Sequence, residues 1–283
     1  GLSDEEKPLA LKVQSPACPW EFYICSQLHD RVSAWYPEEK DSFLGIHNFH
    51  LFQNHSILVS DYYEQGTLQD IINLYLSRGE KVDEVLAMYY VVELLRVVEV
   101  MHQCQIIHGD IKPDNLVVRN GGEGWVDWES SRPGSWNDKG LTLIDFGRGI
   151  DQALFDDGFK FEGDSGTEGF QCIEMQEGKE WSYQIDTYGI CAVAHCLLFG
   201  EYMKVEAVDI DGTKIWQPTQ PLKRYWQTDL WDVFFLNLLN PQEGEQSAPL
   251  ASVREPFEKY LETKGQTERL KGQVCNLSCT YSE

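Results

Sequence analysis

Six side chains stand out because their types and order suit chemistry on an anionic group held by a metal ion. Asp110, Lys112 and Asn115 fall on one tight loop, His108-Gly109-Asp110-Ile111-Lys112-Pro113-Asp114-Asn115, directly after an apolar run. Thirty residues beyond Asn115 comes Asp145-Phe146-Gly147, again after an apolar stretch, Leu141 to Ile144. Upstream, Lys12 lies inside a strand-like run, with Glu21 nine positions on in a helical pattern. Carboxylate and amide oxygens are the donors that a hard cation such as magnesium prefers, and an ammonium beside them suits a phosphate. Any one of these residues is by default a surface carboxylate or a capping asparagine, but that default fails for the ordered set.

The order resembles the signature of protein kinases. Phosphoryl transfer leaves little covalent work to the enzyme, so positioning and charge neutralisation dominate. The resemblance implies that Asp110 accepts the hydrogen bond and then the proton of the attacking hydroxyl, and that Lys112 sits against the transferring phosphate. Asp145 and Asn115 would hold Mg2+, and Lys12 would anchor the α- and β-phosphates of ATP with Glu21 fixing its position. A lysine two places after the catalytic aspartate is the serine/threonine-kinase form.

Further stretches are similar to the Bub family of mitotic spindle-checkpoint serine/threonine kinases: Pro19-Trp20-Glu21-Phe22-Tyr23, Leu51-Phe52-Gln53-Asn54, the loop from Ile107 to Asn115, Gly169-Phe170-Gln171-Cys172-Ile173-Glu174-Met175, Tyr183-Gln184-Ile185-Asp186 and Phe199-Gly200-Glu201-Tyr202-Met203-Lys204-Val205. The similarity spans about residues 9 to 205. In it Glu174 takes the glutamate position that closes the activation segment, and Asp186 matches the aspartate that braces the catalytic loop from a buried helix. The resemblance implies a catalytic, C-terminal portion acting in the nucleus at kinetochores and centromeres. A histone tail is then a plausible substrate, and checkpoint proteins would bind through regions outside this chain. A second reading from a different class is a pseudokinase or scaffold domain. Degenerate relatives would lose the catalytic aspartate, the asparagine or the magnesium aspartate, and all three are present here.

The elements that must position these residues follow an α+β order, a bilobal kinase fold. A strand-rich small lobe is expected over 1–65, with strands at 9–13, 43–52 and 56–60 and a helix from Trp20 to Leu28. A helical large lobe is expected over 66–283. Thr67 could cap a helix over Leu68–Leu76, and further helices are expected at Glu84–Gln103, Ile185–Phe199, Leu230–Leu239 and Pro256–Lys264. Residues 119–140, with five glycines and three tryptophans, and residues 201–224, with Asp211-Gly212, read as loops or a hairpin. The eleven residues before Lys12 contain no glycine-rich loop, so the sequence as given is expected to lack the first two small-lobe strands. Nucleotide affinity should then suffer and the edge at 9–13 should stay open to association. The tract Gly121-Gly122-Glu123-Gly124 lies after the catalytic loop and is no substitute. Asp209-Ile210-Asp211-Gly212 lacks the third acid and closing glutamate of a calcium loop.

Composition narrows the partners. The 283 residues suit one or two domains with a sizeable core. Twenty-three basic against 46 acidic residues give a net charge of −23, which disfavours direct binding to nucleic acid or to an anionic membrane and favours a basic protein substrate. Asp156, Asp157, Glu162, Asp164 and Glu168 concentrate acid on the activation segment. The longest apolar stretch, Tyr188 to Phe199, is too short to cross a bilayer. Eight scattered cysteines read as reduced thiols rather than a disulfide scaffold. Gly109 stands where many kinases carry the arginine that docks an activation-loop phosphate. The segment is therefore expected to be ordered by packing of Phe170, Cys172 and Met175 rather than by phosphate on Ser165 or Thr167, with Glu168 supplying a charge beside Thr167.

Overall fold

The computed structural model describes residues 8–121, 126–165, 167, 169–241 and 249–280. The first part of the chain builds a three-stranded antiparallel sheet around one helix: β1 (Leu9–Gln14), α1 (Pro19–Trp35), β2 (Ile46–Leu51) and β3 (Ser56–Asp61), in the order β1-β3-β2. Pairing of Lys12 with Leu58 fixes the register of β1. Pro19 opens α1 at a position where its missing N–H costs nothing. The helix runs seven residues beyond the Leu28 end that the sequence suggests, because Val32 continues its buried face.

The remainder is mostly helical. α2 (Leu68–Ser77) starts at a capping box: Thr67 accepts from the Asp70 N–H and Asp70 accepts from the Thr67 N–H. α3 (Glu84–Gln103), capped by Asp83, is buried along almost its whole length. β4 (Ile106–Ile107) and β5 (Leu116–Asn120) flank the catalytic loop. β6 (Lys139–Leu143) pairs with β5, and β7 (Ile150–Asp151) pairs with β4. After α4 (Ile173–Gln176) comes α5 (Gln184–Phe199), also buried throughout. Helices apolar on every face belong in a core, and α3 and α5 are its centre. Among the described residues no helix is long and apolar enough to cross a membrane.

Residues 201–224 resolve into a hairpin, β8 (Val205–Ile210) and β9 (Thr213–Pro218), whose turn residues Asp211 and Gly212 have φ of 53° and 82°. Positive φ at both positions is what a two-residue turn matched to strand twist requires. α6 (Thr228–Leu239), α7 (Leu250–Leu261) and α8 (Lys264–Thr280) close the chain. The sequence suggests a helix starting at Pro256, but Pro256 lies inside α7. Leu250, Val253, Phe257 and Leu261 form one buried stripe at three- and four-residue spacing, and burying that stripe outweighs the hydrogen bond proline removes.

Glycine-rich composition misleads over 119–140. Trp128 and Trp136 are fully buried and meet Tyr89 of α3 edge-on. The Trp128 N–H donates to Thr267 of α8 at 2.7 Å, and Trp136 Nε1 donates to the Val126 carbonyl at 3.1 Å. Arg132 is buried between Glu39, to which it hydrogen-bonds, and Glu93, 3.6 Å away. Trp128, Arg132 and Trp136 are thus part of the core, while Gly122, Glu123 and Gly124 lie outside the described residues. Trp136→Ala should lower the unfolding free energy by about 3–5 kcal/mol in urea. A change near zero would return these residues to the solvated loop that their composition suggests.

Candidate active site

Hydrophobicity alone would face the leucines of β1 inward, yet Leu9, Leu11 and Val13 are 49%, 66% and 64% exposed. Side chains alternate along a strand, so Lys12 faces the interior instead. Its Nζ lies 2.9 Å from the buried carboxylate of Glu21 on α1 and 2.6 Å from Asp145 Oδ1. Burial works against the ammonium charge, but the hydrogen bonds and charges of Asp145 and Glu21 outweigh it, and Lys12 titrates above the ordinary lysine value. Burial also pushes the Asp145 carboxyl up, and the hydrogen bond and charge of Lys12 bring it below its usual range. Asp145 has φ 63° and ψ 68°, a left-handed backbone that costs a non-glycine residue about 1–3 kcal/mol and concentrates at functional sites.

The catalytic loop hangs from α5. Asp186, fully buried, accepts the N–H groups of His108 and Gly109, each at 2.9 Å, and lies 2.9 Å from His102 Nε2. The Asp110 N–H donates to His108 Nδ1 at 3.2 Å. The proton of that ring therefore belongs on Nε2, 3.0 Å from the Ile144 carbonyl next to Asp145. The His108 ring also meets Phe146 edge-on, with centroids 4.8 Å apart. One histidine so ties the loop to Asp145-Phe146-Gly147. Gly109 has φ 75°, and a Cβ there would come within 2.9 Å of the Arg148 carbonyl oxygen. Gly189 lets α5 approach the loop, since a Cβ there would lie 2.7 Å from that of Ile111.

The Asp110 carboxylate is held on both oxygens. Lys112 Nζ donates to Oδ2 at 2.7 Å, and Asn115 Nδ2 reaches Oδ2 at 3.2 Å and the Asp110 carbonyl at 2.8 Å. The Thr167 hydroxyl donates to Oδ1 at 2.6 Å. Arg148 NH1 lies 3.8 Å from the same oxygen and donates at 3.0 Å to both the Thr167 hydroxyl and the Ser165 carbonyl. Phe170, Cys172 and Met175 are buried beyond it, and burial pushes the Cys172 thiol up to about 12. Glu168 lies outside the described residues.

All six residues singled out by motif are brought together. Lys12, Glu21, Asn115 and Asp145 line one cleft of about 320 Å³, and Asn115 bridges from it to Asp110 and Lys112. The cleft has apolar walls at Ala10, Leu44, Leu58, Val117 and Ile144, which suit a flat heterocycle, with the cation and oxygen donors to one side. Among the described residues no three His, Cys, Asp or Glu side chains could together hold a metal ion. Motif reading places Thr167 only as a modification site and does not find Arg148. Their contacts with Asp110 come from a segment dozens of residues downstream, and no local pattern marks them.

Residues 40–228 match the family model for the protein kinase domain. The mitotic checkpoint serine/threonine-protein kinase BUB1 of Arabidopsis thaliana is 43% identical over 92% of this chain and 49% of its own length. That of Mus musculus is 40% identical over 91% of this chain and 23% of its own. The chain therefore spans half or less of the curated relatives it matches. Among solved structures, the BubR1 kinase domain superposes with a TM-score of 0.84 at 31% identity, covering 97% of this chain and 78% of that one. With these matches and the braced loop, Asp145-Phe146-Gly147 and the Lys12–Glu21 pair in place, the chain belongs to the protein kinase domain family, in its Bub group of spindle-checkpoint serine/threonine kinases.

Proposed function

We propose that this domain transfers the γ-phosphate of ATP, with magnesium, to a serine or threonine hydroxyl of a basic protein substrate, a histone tail being the working case. The setting is checkpoint signalling at kinetochores in the nucleus, with further partners recruited by regions outside this chain. The observation that carries the reading is Lys12 held between Glu21 and Asp145, with Asn115 linking that cleft to Asp110. A basic substrate is supported by the net charge of −23 and by the exposed Asp156, Asp157, Glu162 and Asp164 on the activation segment.

When bound, ATP and magnesium supply the phosphoryl group and the divalent charge that neutralises it. The chain's residues do the rest by position. Lys12, Asn115 and Asp145 fix the polar end of the cleft. Lys112 and Asn115 on one oxygen and Thr167 on the other fix the Asp110 carboxylate, so that it can orient a substrate hydroxyl and take its proton. Lys112, on the same oxygen, places a positive charge where the transferring group must pass.

Labelled ATP, magnesium and a histone-tail peptide test this reading. Asp110→Asn and Asp145→Asn should each lower kcat by about 10²–10⁴-fold. No transfer by the wild-type protein, or equal transfer by the variants, would leave a scaffold domain instead.

The depressed Asp145 carboxyl predicts a pH effect of fixed sign. Its stabilising contribution is complete above the ordinary carboxyl value of about 4 and is lost as pH falls through the lower folded value. Urea midpoints followed down to about pH 2 should therefore fall further for the wild type than for Asp145→Asn. Parallel curves would contradict the Lys12–Asp145 interaction.

A further inference from the structure

An ion pair with a fully buried carboxylate joins the helix carrying Glu21 to the strand that follows Asp145-Phe146-Gly147, and neither partner touches the reacting groups. Arg31 NH1 lies 2.8 Å from Asp151 Oδ1, and NH2 lies 2.7 Å from Oδ2. The Tyr23 hydroxyl donates to Oδ2 at 3.0 Å, and the Ala153 N–H donates to Oδ1 at 3.1 Å. Four donors thus converge on one carboxylate that is 0% exposed. Arg31 NH1 also donates to the Cys104 carbonyl at the end of α3 at 2.8 Å. Trp20 Nε1 donates to the Gly149 carbonyl at 2.8 Å, and Gln27 accepts from Arg31 at 3.2 Å. Trp20, Tyr23, Gln27 and Arg31 are spaced by three, four and four, so they form one stripe along α1. Glu21 sits between the first two of them.

We propose that Arg31 and Asp151 are positioning residues: their two-pronged pair clamps α1 onto the start of the activation segment and so keeps Glu21 on Lys12 with no phosphate on that segment. The proposal rests on the phosphotransfer reading of the same site. Bidentate arginine–carboxylate pairs fix geometry as well as charge, and removing one partner of a buried pair strands the other charge. Burial alone would raise the Asp151 carboxyl, and the hydrogen bonds from Arg31 and Tyr23 hold it below its usual range. The catalytic loop contributes no guanidinium at Gly109, and Arg148 is already bonded to Ser165 and Thr167. The start of the segment is held instead by α1, through Arg31 on Asp151 and Trp20 on the Gly149 carbonyl.

The test uses phosphatase-treated wild-type protein, Asp151→Asn, Arg31→Met and Arg31→Lys, with amide hydrogen exchange and steady-state phosphotransfer read on each. Exchange in α1 should speed by about tenfold or more in Asp151→Asn and Arg31→Met while α5 stays protected. In both variants kcat should fall by about ten- to a hundredfold, with KM for the peptide held within about twofold, as misplacement of a positioned group predicts. Arg31→Lys, which keeps the charge, should recover part of both losses. Unchanged α1 exchange, or exchange that rises equally in α1 and α5, overturns the clamp. If the wild-type protein itself transfers no phosphate, the phosphotransfer reading fails, and α1 exchange alone decides the clamp.

Discussion

Two carboxylates from separate elements, Glu21 on α1 and Asp145 after β6, are drawn to one point by the Lys12 ammonium. Without that cation they would repel each other across the cleft. With it, the facing of β1, the position of α1 and the left-handed backbone at Asp145 agree with one another. The exposed leucines of β1 are the cost: the strand turns its lysine inward and leaves its apolar face outside.

The second half of the site depends on a different economy, in which a few buried groups each satisfy several backbone donors. Asp186 takes two loop N–H groups and faces His102, and His108 passes the constraint on to Ile144 and Phe146. Buried acceptors of this kind are stable because nothing is left unpaired among the N–H groups they serve. The result is a loop held from the centre of the large lobe, where α5 is itself wholly buried. Loop and cleft are therefore coupled through packed atoms, and Asn115 is the residue that touches both sides of the coupling.

Much of this was legible in sequence where the chemistry is local. The residues from His108 to Asn115 act within one loop, so their order alone announces their role, and the long apolar patterns of α3 and α5 mark buried helices. Thr67 announces its helix through a cap that needs only three neighbouring residues. Pairings that close over long separations were not legible. Arg31 and Asp151 are 120 residues apart, and Thr167 is 57 from Asp110; no spacing rule links either pair. Residues 119–140 read as loop because five glycines and a proline set the local propensity, whereas Trp128 and Trp136 bury enough apolar surface against Tyr89 to override it. Pro256 misleads for the same reason, since a tertiary stripe outweighs a local rule.

The proposed function requires Lys12, Glu21 and Asp145 to act as one preassembled site for a magnesium–nucleotide complex. Calorimetric titration of ATP into the protein, with and without magnesium, tests it without requiring turnover. Saturable binding that strengthens with magnesium and is lost in Lys12→Met is the expected result. Binding that ignores magnesium, or that survives unchanged in Lys12→Met, would contradict it.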